Sequence, residues 1–417
     1  MEFCFLTVHL NAPFVSTMKI LIADDSEDMQ MLLSQYLRQW GHTVVVARNG
    51  AEALHILEET DIQFVISDWA MPLMSGEELC RTVREKIDLQ RYIYIILLTA
   101  KQERQDLVTG MEAGADDFIR KPFNKDELRV RIRAGERTLQ MEKMLAEQNT
   151  QLKEAQAALR NDLEVAAQVQ RNLLPNPNEQ PFVHAGYRFD WLYTPAAFLG
   201  GDTCNVLRLD KTHAGFYMID VAGHGIPSAL KTVMLHQTLS AANGQAGLLK
   251  DDISYAPHCF IRPAAEVLYD LNNISQDEND AMHYFTMIYG LLDVETGQAT
   301  ISHAGHPSAI LLHSDSSMEM TDTGGVPVGM LPEMVYEEST MMLIVGDRII
   351  LYTDGITECE NVLGEQFTLE RFQDLLREHC QKPLRDMIAA IHQALVAWRG
   401  SSGFDDDVSL LIIERFA

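Results

Sequence analysis

The sequence predicts a multidomain α/β protein: a doubly wound five-stranded parallel sheet, a helical coiled-coil linker and an α+β sandwich follow one another. Three observations support this prediction. Short β-type runs alternate with amphipathic helical patterns up to residue 138, a helical segment almost without glycine or proline follows, and antiparallel-type strands dominate the rest. The chain of 417 residues also exceeds what one hydrophobic core ordinarily supports.

The composition describes a folded protein with an acidic surface. Hydrophobic residues make up 47% of the chain, charged residues make up 22%, and the formal net charge is -27. Such a surface repels nucleic-acid phosphates and anionic membranes, so we expect neither as a partner. The six cysteines are scattered without a Cys-x-x-Cys pair, which favours reduced thiols and a cytoplasmic location. The longest strongly apolar run, residues 92–100, is too short to span a bilayer.

Residues 1–17 precede the first predicted strand. They are apolar, but they lack a basic start and carry Glu2, which makes them a poor signal peptide. The run that opens with Met18 is typical of the first strand of a domain. We therefore expect residues 1–17 to be a disordered extension ahead of a domain that covers residues 18–138.

The domain over residues 18–138 alternates strand and helix patterns. Its candidate strands are residues 19–23, 43–47, 64–67, 92–98 and 117–120. The helical patterns between them are residues 29–40, 52–59, 77–85 and 103–113. Repeated βα units predict a parallel sheet with helices on both faces, and ligands of such sheets bind at the carboxyl ends of the strands.

The linker over residues 139–174 carries a heptad pattern. Apolar residues recur every seven positions at Leu145, Leu152, Leu159, Ala166 and Leu173. This spacing predicts a helix that pairs with its copy in a homodimer, and Pro175 ends it. The alternative is one long helix that packs against its own domain.

The domain over residues 175–417 mixes strands and helices. Its candidate strands are residues 215–221, 285–293, 300–302, 309–313, 347–353 and 408–414. Its helical patterns are residues 226–241, 264–274, 369–380 and 384–398. The irregular span 243–263 is expected to be a loop insertion. This order of elements predicts an α+β domain with a large antiparallel component.

Acidic residues and a lysine follow the predicted strands of the first domain. Asp24 and Asp25 end the first strand, Asp68 ends the third, Thr99 closes the fourth and Lys121 follows the fifth. The carboxyl ends of parallel strands meet at one edge, so these carboxylates can hold Mg²⁺ while the lysine neutralises an incoming phosphoryl group. Asp68 can then act as a nucleophile and Thr99 as a hydrogen-bond donor to the new phosphate. Taken singly, each aspartate could instead be a helix cap or a turn former.

These motifs resemble the CheY-like receiver domain of response regulators. The matching segments are residues 22–25 (IADD), 67–76 (SDWAMPLMSG), 98–100 (LTA) and 121–123 (KPF). The resemblance covers residues 18–138 and implies that Asp68 accepts a phosphoryl group from a sensor histidine kinase. It also implies that Thr99, Phe118 and Lys121 form the switch.

Four aspartate motifs mark the second domain. They are Gly200-Gly201-Asp202, residues 220–225 (DVAGHG), Thr353-Asp354-Gly355 and the triplet 405–407 (DDD). Carboxylates flanked by glycine predict a cage for two divalent cations, which can activate a shared water and clamp phosphate oxygens. The carbonyl of Val221 could serve as a further ligand. The alternative is a set of unrelated turn aspartates, and His224 and His306 are either acid–base groups or turn histidines.

These motifs, in this order, resemble the metal-dependent PPM-type serine/threonine phosphatases, in particular their SpoIIE and RsbU-like branch. The matching segments are residues 168–175 (QVQRNLLP), 199–202 (LGGD), 219–225 (IDVAGHG), 304–307 (AGHP), 352–358 (YTDGITE) and 405–411 (DDDVSLL). The resemblance implies a β-sandwich with flanking helices and two Mn²⁺ or Mg²⁺ ions. The implied ligands are Asp202, Asp220 as the bridge, Asp354, Asp406 and the carbonyl of Val221.

The chain departs from this family at two positions. Asn205 stands where the family usually has aspartate, and Ala222 stands where it often has serine. We expect Asn205 to remove one charge near the site and so to weaken a metal or alter substrate contacts. The implied metal ligands themselves remain.

Together the two resemblances imply a two-component response regulator whose output is dephosphorylation of phosphoserine or phosphothreonine on a protein. In the RsbU-like branch that substrate is an anti-sigma-factor antagonist of STAS type. A non-catalytic adaptor that uses the phosphatase fold to bind a sigma-factor-pathway partner is the alternative. Whether phosphorylation of Asp68 activates or inhibits the output does not follow from the sequence.

Overall fold

The computed structural model describes most of the chain. The described residues are 17–86, 91–100, 111–176, 183–223, 225–239, 248–251, 260–276, 284–322, 324–401 and 403–417. Residues 1–16 of the expected extension and most of the helical pattern 103–113 lie outside these ranges. The chain divides into two compact units, Met1–Gln156 and Ala157–Ala417. Among the described residues, no helix is long and apolar enough to cross a membrane.

The first unit contains a five-stranded parallel sheet with the strand order β2-β1-β3-β4-β5. Its strands are β1 (Lys19–Ala23), β2 (Thr43–Ala47), β3 (Phe64–Asp68), β4 (Tyr94–Thr99) and β5 (Asp117–Arg120). Its helices are α1 (Glu27–Gln39), α2 (Gly50–Glu59) and α3 (Gly76–Lys86). Neighbouring residues of one strand, such as Val65 and Ile66, belong to two different apolar clusters. The sheet is thus buried on both faces, as predicted for a doubly wound fold.

The long helix α4 (Lys125–Arg171) has 47 residues and extends about 70 Å. All residues from 140 to 162 are exposed, including Leu145, Leu152 and Leu159 of the heptad pattern. The part of this middle stretch that belongs to each unit is therefore not buried against that unit. High helix propensity and i,i+4 ion pairs such as Arg160–Glu164 support it there.

The second unit is a sandwich of two five-stranded antiparallel sheets. Their strand orders are β15-β12-β11-β8-β7 and β14-β13-β16-β17-β6. The strands are β6 (Tyr187–Thr194), β7 (Asp202–Arg208), β8 (His213–Val221), β11 (Phe285–Asp293), β12 (Gln298–Ala304), β13 (Ile310–Leu312), β14 (Met318–Met320), β15 (Glu338–Met342), β16 (Arg348–Tyr352) and β17 (Val408–Arg415). One apolar cluster fills the space between the sheets. The predicted β-sandwich is confirmed.

Helices cover the outer faces of both sheets, where two further apolar clusters lie. They are α5 (Ile226–Thr238), α6 (Ala264–Ile274), the short α7 (Asp354–Thr357), α8 (Thr368–His379) and α9 (Leu384–Arg399). The span expected to be a loop insertion contains a small antiparallel ladder in its described part, β9 (Lys250–Asp251) with β10 (Phe260–Ile261). Strands β6, β7, β14 and β15 were not predicted. For β7 the reason is physical, since aspartate and asparagine are depleted in strands.

Candidate functional site

The acidic residues of the first unit converge at one edge of the parallel sheet. Carboxylate oxygens of Asp24, Asp25 and Asp68 all lie within 4.8 Å of one another. Asp24 is fully buried, and its Oδ1 accepts a hydrogen bond from the Ser26 amide at 2.9 Å. Its carbonyl oxygen accepts one from the Gln30 side chain of α1 at 2.6 Å. The start of α1 therefore fixes Asp24, and three acids this close fit a hard divalent cation.

Lys121 supplies the positive charge at this edge. Its Nζ lies 2.6 Å from Asp68 Oδ1 and 3.1 Å from Asp24 Oδ2. Burial raises the pKa of Asp68, and this effect outweighs the opposing ion pair with Lys121. For Lys121 the balance is reversed: burial would lower its pKa, but the contacts with Asp68 and Asp24 raise it. The lysine is thus held as a cation against two carboxylates.

The remaining predicted residues of this edge belong to the last two strands of the sheet. Thr99 is buried at the end of β4, and Phe118 is half-buried in β5 against one of the two apolar clusters. Gly76, at the start of α3, has no room for a side chain. A Cβ there would stand 2.2 Å from the carbonyl oxygen of Asp68. The loop around Asp68 therefore depends on this glycine.

The four aspartate motifs of the second unit meet at one end of the sandwich. Asp202 in β7 and Asp220 in β8 are direct cross-strand partners in one sheet. Asp354 begins α7 after β16, and Asp406 precedes β17, the neighbour of β16 in the other sheet. Each sheet therefore contributes two aspartates. The pKa values of these side chains show that they influence one another across the two sheets.

The pKa of Asp202 stands well above its usual range, first because of burial and then because of Asp220 and Asp407. Burial and the charges of Asp354 and Asp406 raise the pKa of Asp220 to about 7. Burial and Asp406 also raise the pKa of Asp354. Asp202 and Asp220 thus both interact with acids of the other sheet.

No basic side chain is among the main causes of the pKa shifts of Asp202, Asp220 and Asp354. Asp202 Oδ2 is buried and has no hydrogen-bond partner among the described residues. A buried carboxylate oxygen without a partner is costly, and a hard cation would satisfy it. The donor set therefore fits divalent metal ions.

The acids of the cage do not form a cluster as tight as that of Asp24, Asp25 and Asp68. Among the described residues, only Asp24, Asp25 and Asp68 form a group of acids with all ligand oxygens within 4.8 Å. The ions of a two-metal site lie about 3.5–4 Å apart, so ligands of different ions need not share one such sphere.

Close backbone approach explains the glycines of the cage. A Cβ on Gly201 would stand 2.7 Å from the Val221 carbonyl oxygen, which was predicted to be a ligand. A Cβ on Gly355 would stand 2.0 Å from the Asp407 carbonyl oxygen. Larger residues would push these strand ends apart, so the glycines set the width of the cage.

Asp407 has a function that the sequence did not reveal. Its buried carboxylate accepts hydrogen bonds from three backbone amides, those of Ala196 at 2.8 Å, Gly201 at 2.6 Å and Asp202 at 3.2 Å. Asp406 is exposed and shifts the pKa of Asp220 and Asp354. Within the triplet, Asp406 therefore faces the cage and Asp407 fastens the loop that carries Asp202. The triplet itself was the only sequence signal.

Gln170, near the end of α4, is a second residue that the sequence did not single out. Its buried side chain donates from Nε2 to the Gly200 carbonyl at 2.6 Å. Its Oε1 accepts from the Gly200 amide at 3.3 Å and from the Tyr193 hydroxyl at 3.3 Å. The long helix therefore holds both backbone groups of the residue two positions before Asp202.

The structure also bears on the histidines that the sequence left as either acid–base groups or turn histidines. His306 is buried, its Nδ1 lies 2.8 Å from Thr286 Oγ1, and burial lowers its pKa to about 3. It is therefore neutral near pH 7 and is a structural histidine rather than a proton donor. His224 lies outside the described residues.

The expected effect of Asn205 on the site is wrong. Asn205 lies three positions after Asp202 in the same strand and therefore points to the other face of the sheet. There it pairs with Tyr217, a member of the apolar cluster under the helices. The side chain faces away from the cage. An aspartate at this position would therefore not add a charge to the cage.

Comparisons with known proteins agree with this architecture. The family model "Stage II sporulation protein E (SpoIIE)" matches residues 210–416, and the response regulator receiver domain model matches residues 20–133. Phosphoserine phosphatase RsbP of Bacillus subtilis (strain 168) is 27% identical over 255 residues, 61% of this chain and 58% of its own. Phosphoserine phosphatase RsbU of the same organism is 27% identical over 277 residues, 65% of this chain and 75% of its own.

A solved structure, the SiaA-PP2C domain of Pseudomonas aeruginosa, matches with a TM-score of 0.53 and 22% identity. The match covers 63% of this chain and 99% of that one, and it concerns the fold alone. Together with the family models, it establishes the architecture of the chain. The protein is a response regulator receiver domain fused to a SpoIIE-type domain of the PPM phosphatase fold.

Proposed function

We propose that this receiver–SpoIIE fusion hydrolyses phosphoserine or phosphothreonine on a protein in a metal-dependent reaction controlled by phosphorylation of Asp68. One observation carries the proposal: aspartates from two sheets converge around the buried Asp202 and raise one another's pKa values, with no basic side chain among the main causes for Asp202, Asp220 and Asp354. Asp202, Asp220, Asp354, Asp406 and the Val221 carbonyl would hold two Mn²⁺ or Mg²⁺ ions. The PPM fold and the similarity to two phosphoserine phosphatases support it further.

The residues of the cage supply binding and position rather than a nucleophile. When bound, two divalent ions lower the pKa of a shared water and stabilise charge on the phosphate oxygens. Asp220 lies opposite Asp202 and is influenced by Asp354 and Asp406, Asp407 fixes the loop of Asp202, and Gly201 keeps space open around Val221. His306 is held neutral and takes no proton in this scheme.

The receiver unit would be the input. Asp24, Asp25 and Asp68 would hold Mg²⁺, and Lys121 would balance the charge of the phosphoryl group. A carboxylate oxygen of Asp68 attacks phosphorus of a phosphohistidine on a sensor histidine kinase. The P–O bond forms while the P–N bond breaks, and the imidazole leaves with the electron pair. Thr99 and Phe118 would then respond as the switch.

The long helix would carry the signal to the output. Its exposed heptad residues Leu145, Leu152 and Leu159 would pair with a second copy in a homodimer. Its other end reaches the metal loop through Gln170. A change in helix pairing would thus shift Gly200 and, with it, Asp202.

The substrate that we propose is a phosphorylated anti-sigma-factor antagonist of STAS type in the cytoplasm. This choice rests on the resemblance to the RsbU-like branch and on the acidic surface, which disfavours nucleic acid as a partner. The proposed domains are a receiver at residues 18–138, a helical linker at 139–174 and a phosphatase at 175–417, with residues 1–17 as an extension.

The test is phosphate release by the full-length chain with Mn²⁺, from p-nitrophenyl phosphate and from a phosphoserine peptide. We expect turnover that chelator abolishes and that Asp220→Asn lowers on the order of 10³-fold. Asp374→Asn, which removes an exposed carboxylate paired with Arg377, is the control. Absence of turnover together with no heat of Mn²⁺ binding in calorimetry would support the adaptor alternative instead.

A further inference from the structure

We propose that a cleft beside the catalytic aspartates binds the segment that flanks the phosphorylated residue of the protein substrate, and that it selects a basic segment with an apolar side chain. The cleft has a volume of about 290 Å³. Its lining includes Gly355, Glu358, Glu360, Arg399, Asp405 and Asp406. The proposal rests on the proposed phosphatase function and concerns its choice of substrate.

The cleft opens directly from the proposed metal site. Asp406, which lines it, is one of the four acids of the cage, and Gly355 follows Asp354, another of the four. A phosphorylated side chain in the cage would therefore direct its neighbouring residues into this space. The cleft is thus continuous with the place where the phosphate must lie.

The charge of the cleft favours a basic occupant. Beyond the cage, Glu358, Glu360 and Asp405 face a single guanidinium, that of Arg399. This guanidinium donates to the Glu360 carbonyl at 3.1 Å, to the Gly403 carbonyl at 3.3 Å and to the Asp405 carboxylate. Because Arg399 is committed to these partners, the carboxylates are in excess. Lysine or arginine beside the phosphorylated residue would balance them.

An apolar pair stands beside the acids on a braced hairpin. Val362 and Leu363 expose 82% and 80% of their surface. Glu360 and Gln366, which pair across the base of this hairpin, both line the cleft. Large aliphatic side chains held outward next to a site are typical of a surface that contacts a protein partner.

The hairpin is rigidly supported. Asn361 Oδ1 accepts hydrogen bonds from the amides of Leu363 at 2.9 Å and Glu365 at 3.0 Å. Asn361 Nδ2 donates to Glu365 Oε2 at 3.0 Å. The exposure of the apolar pair is therefore a property of the folded loop.

The partner that fits this surface is the substrate rather than a second copy of the chain. A symmetric contact of two copies would place the same acidic residues opposite each other, which is repulsive. A substrate segment with basic and apolar side chains satisfies both parts of the surface at once.

The experiment compares three substrates of the full-length chain in Mn²⁺. They are p-nitrophenyl phosphate and two phosphoserine peptides of equal length, in which a leucine and either two lysines or two glutamates flank the phosphoserine. We expect kcat/KM for the lysine peptide to exceed that for the glutamate peptide about tenfold. The small substrate reports on the metal site without the cleft.

Variants of the cleft then test which residues cause the preference for the lysine peptide. Glu360→Lys should lower the ratio of kcat/KM for the lysine peptide to that for p-nitrophenyl phosphate about fivefold. The double variant V362S/L363S should lower it about tenfold, because two aliphatic contacts are lost. The matched controls, Glu295→Lys and I344S/V345S, change exposed residues elsewhere and should keep the wild-type ratio.

The possible failures are distinguishable. If none of the three substrates is turned over, the proposed phosphatase function fails and this inference fails with it. If p-nitrophenyl phosphate is hydrolysed but the lysine peptide is not preferred, the metal site stands and the cleft is not the docking site. The same conclusion follows if the cleft variants and the matched controls behave alike.

Discussion

The two acidic clusters of this chain differ in the source of their positive charge. In the receiver unit, Lys121 lies 2.6 Å from Asp68 and 3.1 Å from Asp24, so a cation is part of the fold. In the phosphatase unit, burial and the charges of neighbouring acids raise the pKa values of Asp202, Asp220 and Asp354, and no basic side chain is among the main causes. This difference suits the proposed functions, in which the first cluster exchanges a phosphoryl group and the second depends on metal.

This difference also appears in how each cluster is held. Asp24 is fixed by the beginning of a nearby helix, within six positions of its own place in the sequence. Asp202 is fixed by Asp407 and, through Gly200, by Gln170, which lie 205 and 32 positions away. The backbone around Asp24 is held locally, although Lys121 reaches it from 97 positions away, whereas the backbone around Asp202 is held by long-range contacts alone among those described. Substitution of residues that are distant from Asp202 in the sequence, such as Asp407 and Gln170, should therefore disturb the cage.

The first prediction distinguishes the two clusters by the substitution Asp407→Asn, which should impair the cage and leave the receiver cluster intact. An amide has one acceptor oxygen, so it cannot serve three backbone amides, and its own NH₂ would face at least one of them. We expect hydrolysis of p-nitrophenyl phosphate to fall about hundredfold, while phosphorylation of Asp68 by a small phosphodonor is retained. Asp374→Asn is again the control. A variant with wild-type turnover would show that Asp407 does not hold the loop.

The second effect concerns pH and metal. The pKa of Asp220 is about 7 in the folded chain, against 3.8 for an ordinary aspartate. As pH rises, the Asp220 carboxyl therefore loses its proton at a lower pH in the unfolded chain than in the folded chain. The stability supplied by the protonated cage is complete below about pH 4 and is lost as pH rises through 7.

Thermal unfolding of the full-length chain in chelator should therefore show the second unit losing about 1.4 kcal/mol, roughly tenfold in its unfolding constant, between pH 6 and 8. Burial lowers the pKa of His303 to about 4 and that of His306 to about 3, so neither titrates in this window. Saturating Mn²⁺ should remove most of the trend, because it holds the carboxylates ionised. A smaller part remains from His313, where contacts with Asp347 and Glu319 outweigh burial and raise its pKa. An equal slope with and without Mn²⁺ would mean that the acids do not form a metal cage.

The third effect tests the connection between the two units. Gln170→Ala removes the side chain that holds both backbone groups of Gly200. Loss of these buried contacts should lower turnover about tenfold and weaken its response to a phosphodonor. Gln168→Ala, on the exposed side of the same helix turn, is the control. If both variants keep the full response, the signal does not pass through Gln170.

The sequence predicted those parts of the molecule that depend on local pattern. The parallel strands and α6 were placed well because uninterrupted β-branched or amphipathic runs define them. That the aspartates would come together was also predictable, because each adjoins a strand end. Strand β7 was missed because its polar residues gain their place only by pairing with β8. Asp407 and Gln170 were missed because their function depends on partners distant in sequence. Local pattern does not contain that information.

Substitution of Asn205 is expected to have the smallest effect. It again tests whether a position in the sequence or a position in the fold decides what a residue does. By sequence it stands in a position where relatives carry an acid, which suggests a weakened cage. In the folded strand it points to the opposite face from Asp202 and lies beside Tyr217. We therefore expect Asn205→Asp to change metal affinity and turnover by less than about twofold, since a charge on the far face is not a ligand. The comparison is a Mn²⁺ titration of turnover for both proteins, with thermal unfolding as a check on folding. A marked rise in Mn²⁺ affinity would mean that this position contributes to the cage after all.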